Sequence, residues 1–326
     1  MNSGQRRQRA RTTGAAALAV PLFGAAVHQV TQTRNGMLIL GGVVSAVLGA
    51  WYGSPLGDWA AAAIVRTIPL EEDVALGRRA VALERFQYAD FDFGLPEIGR
   101  QLVASDPELV RKRIPFSFSV IKQDVVNAFA FPGGAIFVTE ALVRRLGASS
   151  SELAAVLGHE IGHVRHRHAQ QRIVKSRLVP FLLDVLFYDD GDARQESFGQ
   201  ATGEILLGFA GELGELVFSR ANEFEADDMS WKLLVSAGHD PRALRSFFVK
   251  LLRLHGGSGA GGGAASGWVS GMLSTHPATE ERIRVLERRW EELPHVEQRR
   301  LAARGAGRTT PPRPSPHGGG AYAKRG

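Results

Sequence analysis

One short segment constrains this chain more than any other, the run His159-Glu160-Ile161-Gly162-His163. Two histidines four residues apart share a face only if the segment is helical. The H-E-x-x-H pattern is typical of a zinc site whose glutamate acts on the bound water. The preceding residues predict the helix, because Ser149 and Glu152 have the spacing of a capping box. Apolar residues at helical spacing continue from there, so we predict a buried helix that carries the two histidines.

Any metal bound here must be held by nitrogen and oxygen atoms, because the chain contains no cysteine. A catalytic zinc ion usually takes three protein ligands, and Glu223 and Asp227 lie one helical turn apart in a later segment. One of these carboxylates can bind the metal while the other accepts the ring N–H of a ligating histidine. The alternative is a solvated acidic helix face, since Glu225 and Asp228 lie in the same segment.

Two further histidines, His166 and His168, follow the motif closely. A helix cannot direct four side chains at these spacings toward one ion. We therefore predict that His166 and His168 lie at the surface or behind the metal ligands.

A β signal precedes the motif. Residues 115–121 alternate in part, and residues 125–131 and 135–139 flank Pro132-Gly133-Gly134, which predicts a hairpin turn. An exposed strand edge beside a metal site can pair with an extended substrate backbone. Asn127 is a candidate for an additional contact to that backbone, and an ordinary strand or turn asparagine is the alternative.

The basic character of the chain resides in its two ends. Nine of the 39 basic residues lie in segments 1–13 and 301–326, which contain no acid, and the remaining 30 face 33 acidic residues. We therefore predict no nucleic-acid surface. Between the ends, residues 37–53 are apolar and uncharged and end at Trp51 and Tyr52, which favours a single membrane-spanning segment. The alternative is a cleaved targeting peptide followed by a buried helix.

Four segments together resemble the membrane metallopeptidase family of HtpX, the type I CAAX prenyl proteases and the Oma-type mitochondrial stress peptidases. These segments are Gly158–Val164 with His168, Ser219–Asp227, Asn127–Gly134 and Ser274–Pro277. They occur in the family's order and cover roughly residues 95–290. Because it has a single N-terminal hydrophobic region, the chain is more similar to Oma-type and bacterial periplasmic members than to multi-spanning HtpX.

The resemblance implies one zinc ion per chain, with His159, His163 and Glu223 as ligands. Glu160 would be the general base, and Asp227 would support a ligand from behind.

The same resemblance gives weaker roles to other residues. His276 or Arg220 could donate to the tetrahedral oxyanion, and His276 could instead be a blocking fourth ligand or a structural histidine. The substrate backbone would be bound by Asn127, Gly133 and Gly134.

The implied fold is α+β, a mostly helical zincin-like domain with a small sheet beside the H-E-x-x-H helix. We expect a basic segment over 1–35, an anchor and linker over 36–66, the peptidase domain over 67–300 and a disordered tail over 301–326. The implied protein is a membrane-tethered zinc metalloendopeptidase that cuts misfolded or membrane-associated proteins in quality control, and it could form homo-oligomers. Its predicted location is a mitochondrial or bacterial inner membrane, with the catalytic domain on the non-cytoplasmic side. The alternative is a zinc-binding chaperone or scaffold with little proteolysis.

Overall fold

The computed structural model describes residues 55–145, 147–176, 217–256, 271–277 and 279–306. In chain order the elements are α1 (Pro55–Thr67), α2 (Leu70–Leu83), α3 (Leu95–Ala104), α4 (Pro107–Lys112), β1 (Ser117–Ile121), β2 (Ala128–Ala130), β3 (Ala135–Thr139), α5 (Glu140–Arg145), α6 (Ser150–His166), α7 (Arg220–Ala237), α8 (Ala243–Gly256), α9 (Glu280–Glu291) and α10 (His295–Gly305). Residues 168–176 and 271–275 are also helical. The predicted α+β class is confirmed, because helices dominate and one small sheet accompanies them.

The chain divides into two compact units. The larger comprises residues 68–172 and 206–326, and it contains the sheet and helices α2 to α10. The smaller comprises residues 1–67 and 173–205, of which the structure describes α1 and residues 173–176. Within the smaller unit Lys175 Nζ pairs with Asp58 Oδ1 at 2.5 Å.

The sheet of the larger unit has the strand order β1-β3-β2. β1 runs parallel to β3, and β2 runs antiparallel to it, which confirms the predicted hairpin. The turn needs glycine at Gly133, whose φ is +77° and whose added Cβ would lie 2.5 Å from the Cα of Val74. β2 is therefore an edge strand that is positioned by a turn packed against α2.

Helix α6 forms as predicted and lies in the core. Ser149 accepts a hydrogen bond from the Glu152 amide, and the Glu152 side chain accepts one from the Ser149 amide. This capping box satisfies two amide groups at the start of the helix. Every residue of α6 from Ser151 to Val164 is buried, so its polar side chains must find partners inside the protein.

Helices α6 and α7 cross at very short range. A Cβ added to Gly162 would lie 2.8 Å from the Cα of Ala226, and one added to Gly158 would lie 3.0 Å from the Cα of Ser230. Ser230 Oγ donates to the Ala155 carbonyl oxygen at 2.7 Å. Glycine at positions 158 and 162 allows α7 to approach α6 closely enough to place its carboxylates beside the histidines.

The predicted single-pass membrane location is contradicted. Within the described ranges, no helix has both the length and the apolar character needed to cross a bilayer. α7 reaches 18 residues but carries charged side chains along its length, and α1 with 13 residues is about 20 Å long against a hydrocarbon core of about 30 Å. The predicted segments 1–35 and 37–53 lie outside the described residues.

The folded body extends beyond residue 300. Helix α10 ends at Gly305, and Leu301 within it is buried. The basic, acid-free composition of residues 301–326 predicts a disordered tail from residue 301. The helix continues past that point because Leu301 is buried. Residues 307–326 lie outside the described residues.

Candidate metal centre

Four side chains from three parts of the larger unit converge in the core. Each of the four contributes one donor atom, and these atoms all lie within 4.8 Å of one another. The four residues, all buried, are His159, His163, Glu223 and His276. The Nε2 atoms of His159 and His163 are 3.0 Å apart. Glu223 Oε2 is 3.5 Å from His159 Nε2, and Glu223 Oε1 is 3.5 Å from His163 Nε2.

The two central helices explain this convergence. His159 and His163 are one turn apart on α6, and Glu223 and Asp227 are one turn apart on α7. The close crossing at Gly162 turns the two pairs toward each other. Asp227 Oδ1 accepts the Nδ1–H of His159 at 3.0 Å, which directs the Nε2 lone pair of His159 into the cluster.

The donor set fits a zinc ion. Tetrahedral zinc with bonds of about 2.0–2.1 Å holds its ligand atoms about 3.3 Å apart, close to the separations within the cluster. Glu160 Oε1 and Glu223 Oε2 are buried and make no hydrogen bond to any described residue. Arg282 Nη1 donates a hydrogen bond to the Pro277 carbonyl oxygen and also lies 2.6 Å from Glu223 Oε2 as an ion pair. Buried oxygen atoms with unused lone pairs beside two imidazoles are suited to a divalent cation.

Protonation in the absence of metal differs between the two α6 histidines. Burial lowers the pKa of His159, but the hydrogen bond to Asp227 and the nearby carboxylate of Glu223 outweigh it and raise the pKa to about 9. Burial lowers the pKa of His163 well below its usual value. His163 is thus ready to bind metal, whereas a metal ion must displace a proton from His159.

The carboxylates of the cluster also differ. Burial alone would raise the pKa of Glu223, but the neighbouring rings of His276, His159 and His163 hold it far below its usual range. Burial raises the pKa of Glu160. Glu223 is therefore the more firmly ionised of the two, as a metal-binding carboxylate must be.

Arg282 is a site residue that the sequence analysis missed. Its Nε and Nη2 atoms donate to both oxygens of Asp227 at 2.7 and 2.6 Å, and its Nη1 lies 2.6 Å from Glu223 Oε2. The guanidinium also lies 4.4 Å from the ring centroid of Phe248. A signal was present in the sequence, because Arg282 shares the otherwise apolar face of α9 with Leu286, four residues later.

His276 reaches the cluster from a third segment. Its Nδ1 is 3.0 Å from Glu223 Oε1 and 3.3 Å from His159 Nε2, and its Nε2 is 3.6 Å from Glu160 Oε1. It therefore contacts two candidate ligands and approaches the candidate base. Arg220 is not part of the donor cluster: its side chain is 77% exposed and pairs with Glu281.

A groove of about 530 Å³ has Thr275, the neighbour of His276 in sequence, among its lining residues. Its walls include Phe86, Val125, Phe129 and Phe131. Asn127 also lines the groove, and its side-chain oxygen accepts the Ala128 amide at 2.9 Å.

The two glycines expected to face the substrate are placed differently. Gly133 and Gly134 are buried in the hairpin turn, with positive φ angles of 77° and 104°. They shape the hairpin and do not line the groove.

His166 and His168 lie behind the cluster. His168 is buried, and its Nδ1 is 2.9 Å from the Nδ1 of His163. On the other side of the ring, His168 Nε2 is 3.1 Å from Glu225 Oε2. His168 thus contacts the rear of a candidate ligand, and Glu225 contacts the rear of His168.

Comparison with known proteins finds several proteases among the relatives of this chain. The chain is 33% identical over 195 residues to the beta-barrel assembly-enhancing protease of Yersinia pestis. The aligned residues make up 57% of this chain and 36% of that protein. It is 33% identical over 173 residues to the mitochondrial metalloendopeptidase OMA1 of Arabidopsis thaliana, covering 53% of this chain and 31% of that one. It is 31% identical over 172 residues to the metalloprotease LoiP of Escherichia coli, covering 52% and 60% respectively.

The chain therefore spans about a third of the length of the first two of these relatives. The sequence profile of peptidase family M48 matches residues 96–290, which is more than half of the chain and includes both central helices. A metallopeptidase family implies a bound metal and protein or peptide substrates. This chain belongs to peptidase family M48.

Proposed function

We propose that this protein is a zinc metalloendopeptidase in which His159, His163 and Glu223 hold the ion and Glu160 is the general base. The observation that carries the proposal is the meeting of two imidazole Nε2 atoms 3.0 Å apart with a buried carboxylate 3.5 Å from each. Two histidines and a glutamate form the ligand set of a well-known class of catalytic zinc sites, which leaves a position for water. Zinc is favoured over calcium or magnesium because imidazole donors suit it.

The chemistry divides between the ion and the protein. When bound, zinc polarises the peptide carbonyl and lowers the pKa of the attacking water. Glu160 accepts the proton of that water and later delivers it to the leaving amide nitrogen. Its carboxylate belongs to the same buried helix as the histidines, and Oε1 has no hydrogen bond from a described residue that would occupy it.

Asp227 and Arg282 orient the candidate ligands. Asp227 accepts the Nδ1–H of His159, so the other nitrogen of that ring is the one that binds the metal when its proton is displaced. Arg282 holds Asp227 with two hydrogen bonds and neutralises part of the negative charge of Glu223. His276 lies 3.6 Å from Glu160 and is the candidate donor to the oxyanion that develops on the substrate.

The groove and the edge strand support an extended polypeptide substrate. β2 pairs with β3 on one side only, and its outer side faces no other strand in the described part of the chain. Main-chain groups on such an edge can bind a substrate backbone without reading its sequence. We propose misfolded or membrane-associated proteins as the substrate class, in line with a relative that is named for its part in beta-barrel assembly.

The test is Glu160→Gln, assayed for zinc content and for cleavage of casein. Glutamine preserves the shape of the side chain but cannot take up the proton, so zinc should remain at one per chain while cleavage falls by about 10²-fold or more. Glu291→Gln is the matched control, because Glu291 is exposed on α9. Unchanged cleavage in the zinc-loaded Glu160→Gln protein would show that the proposed mechanism is wrong.

A further inference from the structure

A second group of metal-binding side chains lies beside the candidate centre. It consists of His166, His168 and Glu225, whose donor atoms lie within 4.8 Å of one another. Glu225 Oε2 is 3.1 Å from His168 Nε2 and 3.6 Å from His166 Nδ1. Two imidazoles and one carboxylate form a donor set that selects zinc and neighbouring transition metals over calcium or magnesium.

We propose that His166, His168 and Glu225 form a second site for a divalent transition-metal ion such as Zn²⁺, and that its occupation inhibits the peptidase. The site can be reached from solvent, because the side chains of His166 and Glu225 are 35% and 55% exposed. His168 is buried and supplies a fixed inner ligand. An ion can therefore enter and leave without opening the core, as a reversible inhibitor requires.

The surrounding charges are compatible with a cation. Arg165, the neighbour of His166 in sequence, pairs with Glu108 at 2.5 Å, so its charge is partly neutralised. The neutral imidazole of His166 offers a nitrogen lone pair to a metal.

The coupling to catalysis runs through His168. When His163 presents Nε2 to the catalytic ion, its Nδ1 carries the proton and donates to His168 Nδ1 at 2.9 Å. The proton of a neutral His168 is then on Nε2, where Glu225 accepts it at 3.1 Å. This chain of hydrogen bonds orients His163 from behind.

A second ion on His168 Nε2 displaces that proton. If His168 stays neutral, its proton must move to Nδ1, where it faces the N–H of His163 and the hydrogen bond between the two rings is lost. Loss of such an outer partner typically weakens metal affinity or activity by about 10–100-fold. The second site is consequently inhibitory, and inhibition by excess zinc rests on the proposed peptidase function.

The probe is Zn²⁺ alone, added to the full chain already loaded with one zinc. Calorimetry of the wild-type protein should show a second zinc bound per chain, and casein cleavage should fall over the same concentration range. His166→Ala removes one ligand without touching the catalytic cluster. It should weaken the second binding event by at least about tenfold and relieve the inhibition, with activity at low zinc unchanged.

Glu225→Gln provides an independent variant and should also lose the second zinc, because an amide is a much weaker ligand than a carboxylate. His295→Ala is the matched control, since His295 is exposed at the start of α10, and it should behave as the wild type. A wild-type protein that binds only one zinc, or an unchanged second zinc in His166→Ala, would overturn the site. A second zinc that does not inhibit would overturn its regulatory role. Zinc uptake needs no activity, so it separates failure of this inference from failure of the proposed function.

Discussion

Replacing Arg282 with methionine removes the guanidinium that connects Asp227 to Glu223. The wild-type side chain is 3% exposed, makes two hydrogen bonds of 2.6–2.7 Å to Asp227 and approaches Glu223 Oε2 to 2.6 Å. Methionine keeps much of the length and the apolar packing on Phe248 but supplies no charge and no donor. The variant therefore leaves two buried carboxylates without their common cation.

The size of the effect follows from these contacts. A hydrogen bond to a charged group contributes about 1.5–3 kcal/mol, but three contacts to one guanidinium are not additive. Breaking a buried ion pair by removing one partner costs about 3–5 kcal/mol, and we expect Arg282→Met to lose that much free energy of unfolding. Asp227 would also hold His159 less firmly, so zinc affinity should fall by about 10–100-fold.

The assay is urea denaturation of zinc-loaded protein, combined with zinc affinity from competition with a chelator. Arg289→Met is the matched control, because Arg289 lies on the same helix and contacts Asp228 and the ring of Trp231, but its side chain is 33% exposed. We expect this control to lose no more than about 1 kcal/mol. Equal losses in the two variants, with zinc affinity unchanged in both, would refute the role assigned to Arg282.

Three further predictions test the helix crossing, the bound metal and a buried carboxylate. Gly162→Ala places a Cβ 2.8 Å from the Cα of Ala226, so thermal melting should show a net loss of about 1–2 kcal/mol despite better helix propensity, together with reduced zinc content. Chelation should abolish cleavage and lower the melting temperature. Zinc at about 100 times its Kd should restore about 2.7 kcal/mol of the free energy of unfolding. A melting temperature that does not change when chelator is added would contradict metal binding in the folded state. Burial would raise the pKa of Glu152, but hydrogen bonds from Lys250, the Ser149 amide and Ser246 outweigh it and hold the pKa below 4.5. A depressed carboxyl pKa stabilises the fold above pH 4.5 and loses that contribution as the pH falls through the folded pKa, so Glu152→Gln should have a flatter acid limb in melting temperature against pH.

Local signals predicted the parts of the site that depend on neighbours in sequence. The capping box at Ser149 fixes the start of α6, and the four-residue spacing fixes the shared face of His159 and His163. The turn at Gly133 likewise fixes the hairpin, because its backbone conformation favours glycine. In each case the relevant interaction spans only a few residues.

Contacts between distant segments could not be predicted in the same way. Arg282 lies 55 residues from Asp227, and an arginine on an amphipathic helix is more often solvated than buried. Gly133 and Gly134 were expected to face the substrate, but φ preference alone does not say which side of a turn is covered by a helix. The groove wall at Phe86 was not anticipated either, since it comes from a segment about 40 residues before the hairpin that it contacts.

The four acidic residues of α7 illustrate how tertiary structure resolves an ambiguity. Sequence alone allowed either a metal-binding face or a solvated face for this helix. Glu223 and Asp227 are buried, whereas Glu225 is exposed, because the face opposite Gly162 is the one that packs on α6. Burial separates the two groups of carboxylates that composition could not distinguish.

The most direct test of the proposed site is to locate the metal in crystals of the zinc-loaded protein. Anomalous diffraction collected above and below the zinc edge identifies the element and its position. Our proposal predicts a peak within about 2.0–2.2 Å of His159 Nε2, His163 Nε2 and a carboxylate oxygen of Glu223. A fully loaded protein without a peak among these three side chains would contradict the proposed catalytic centre.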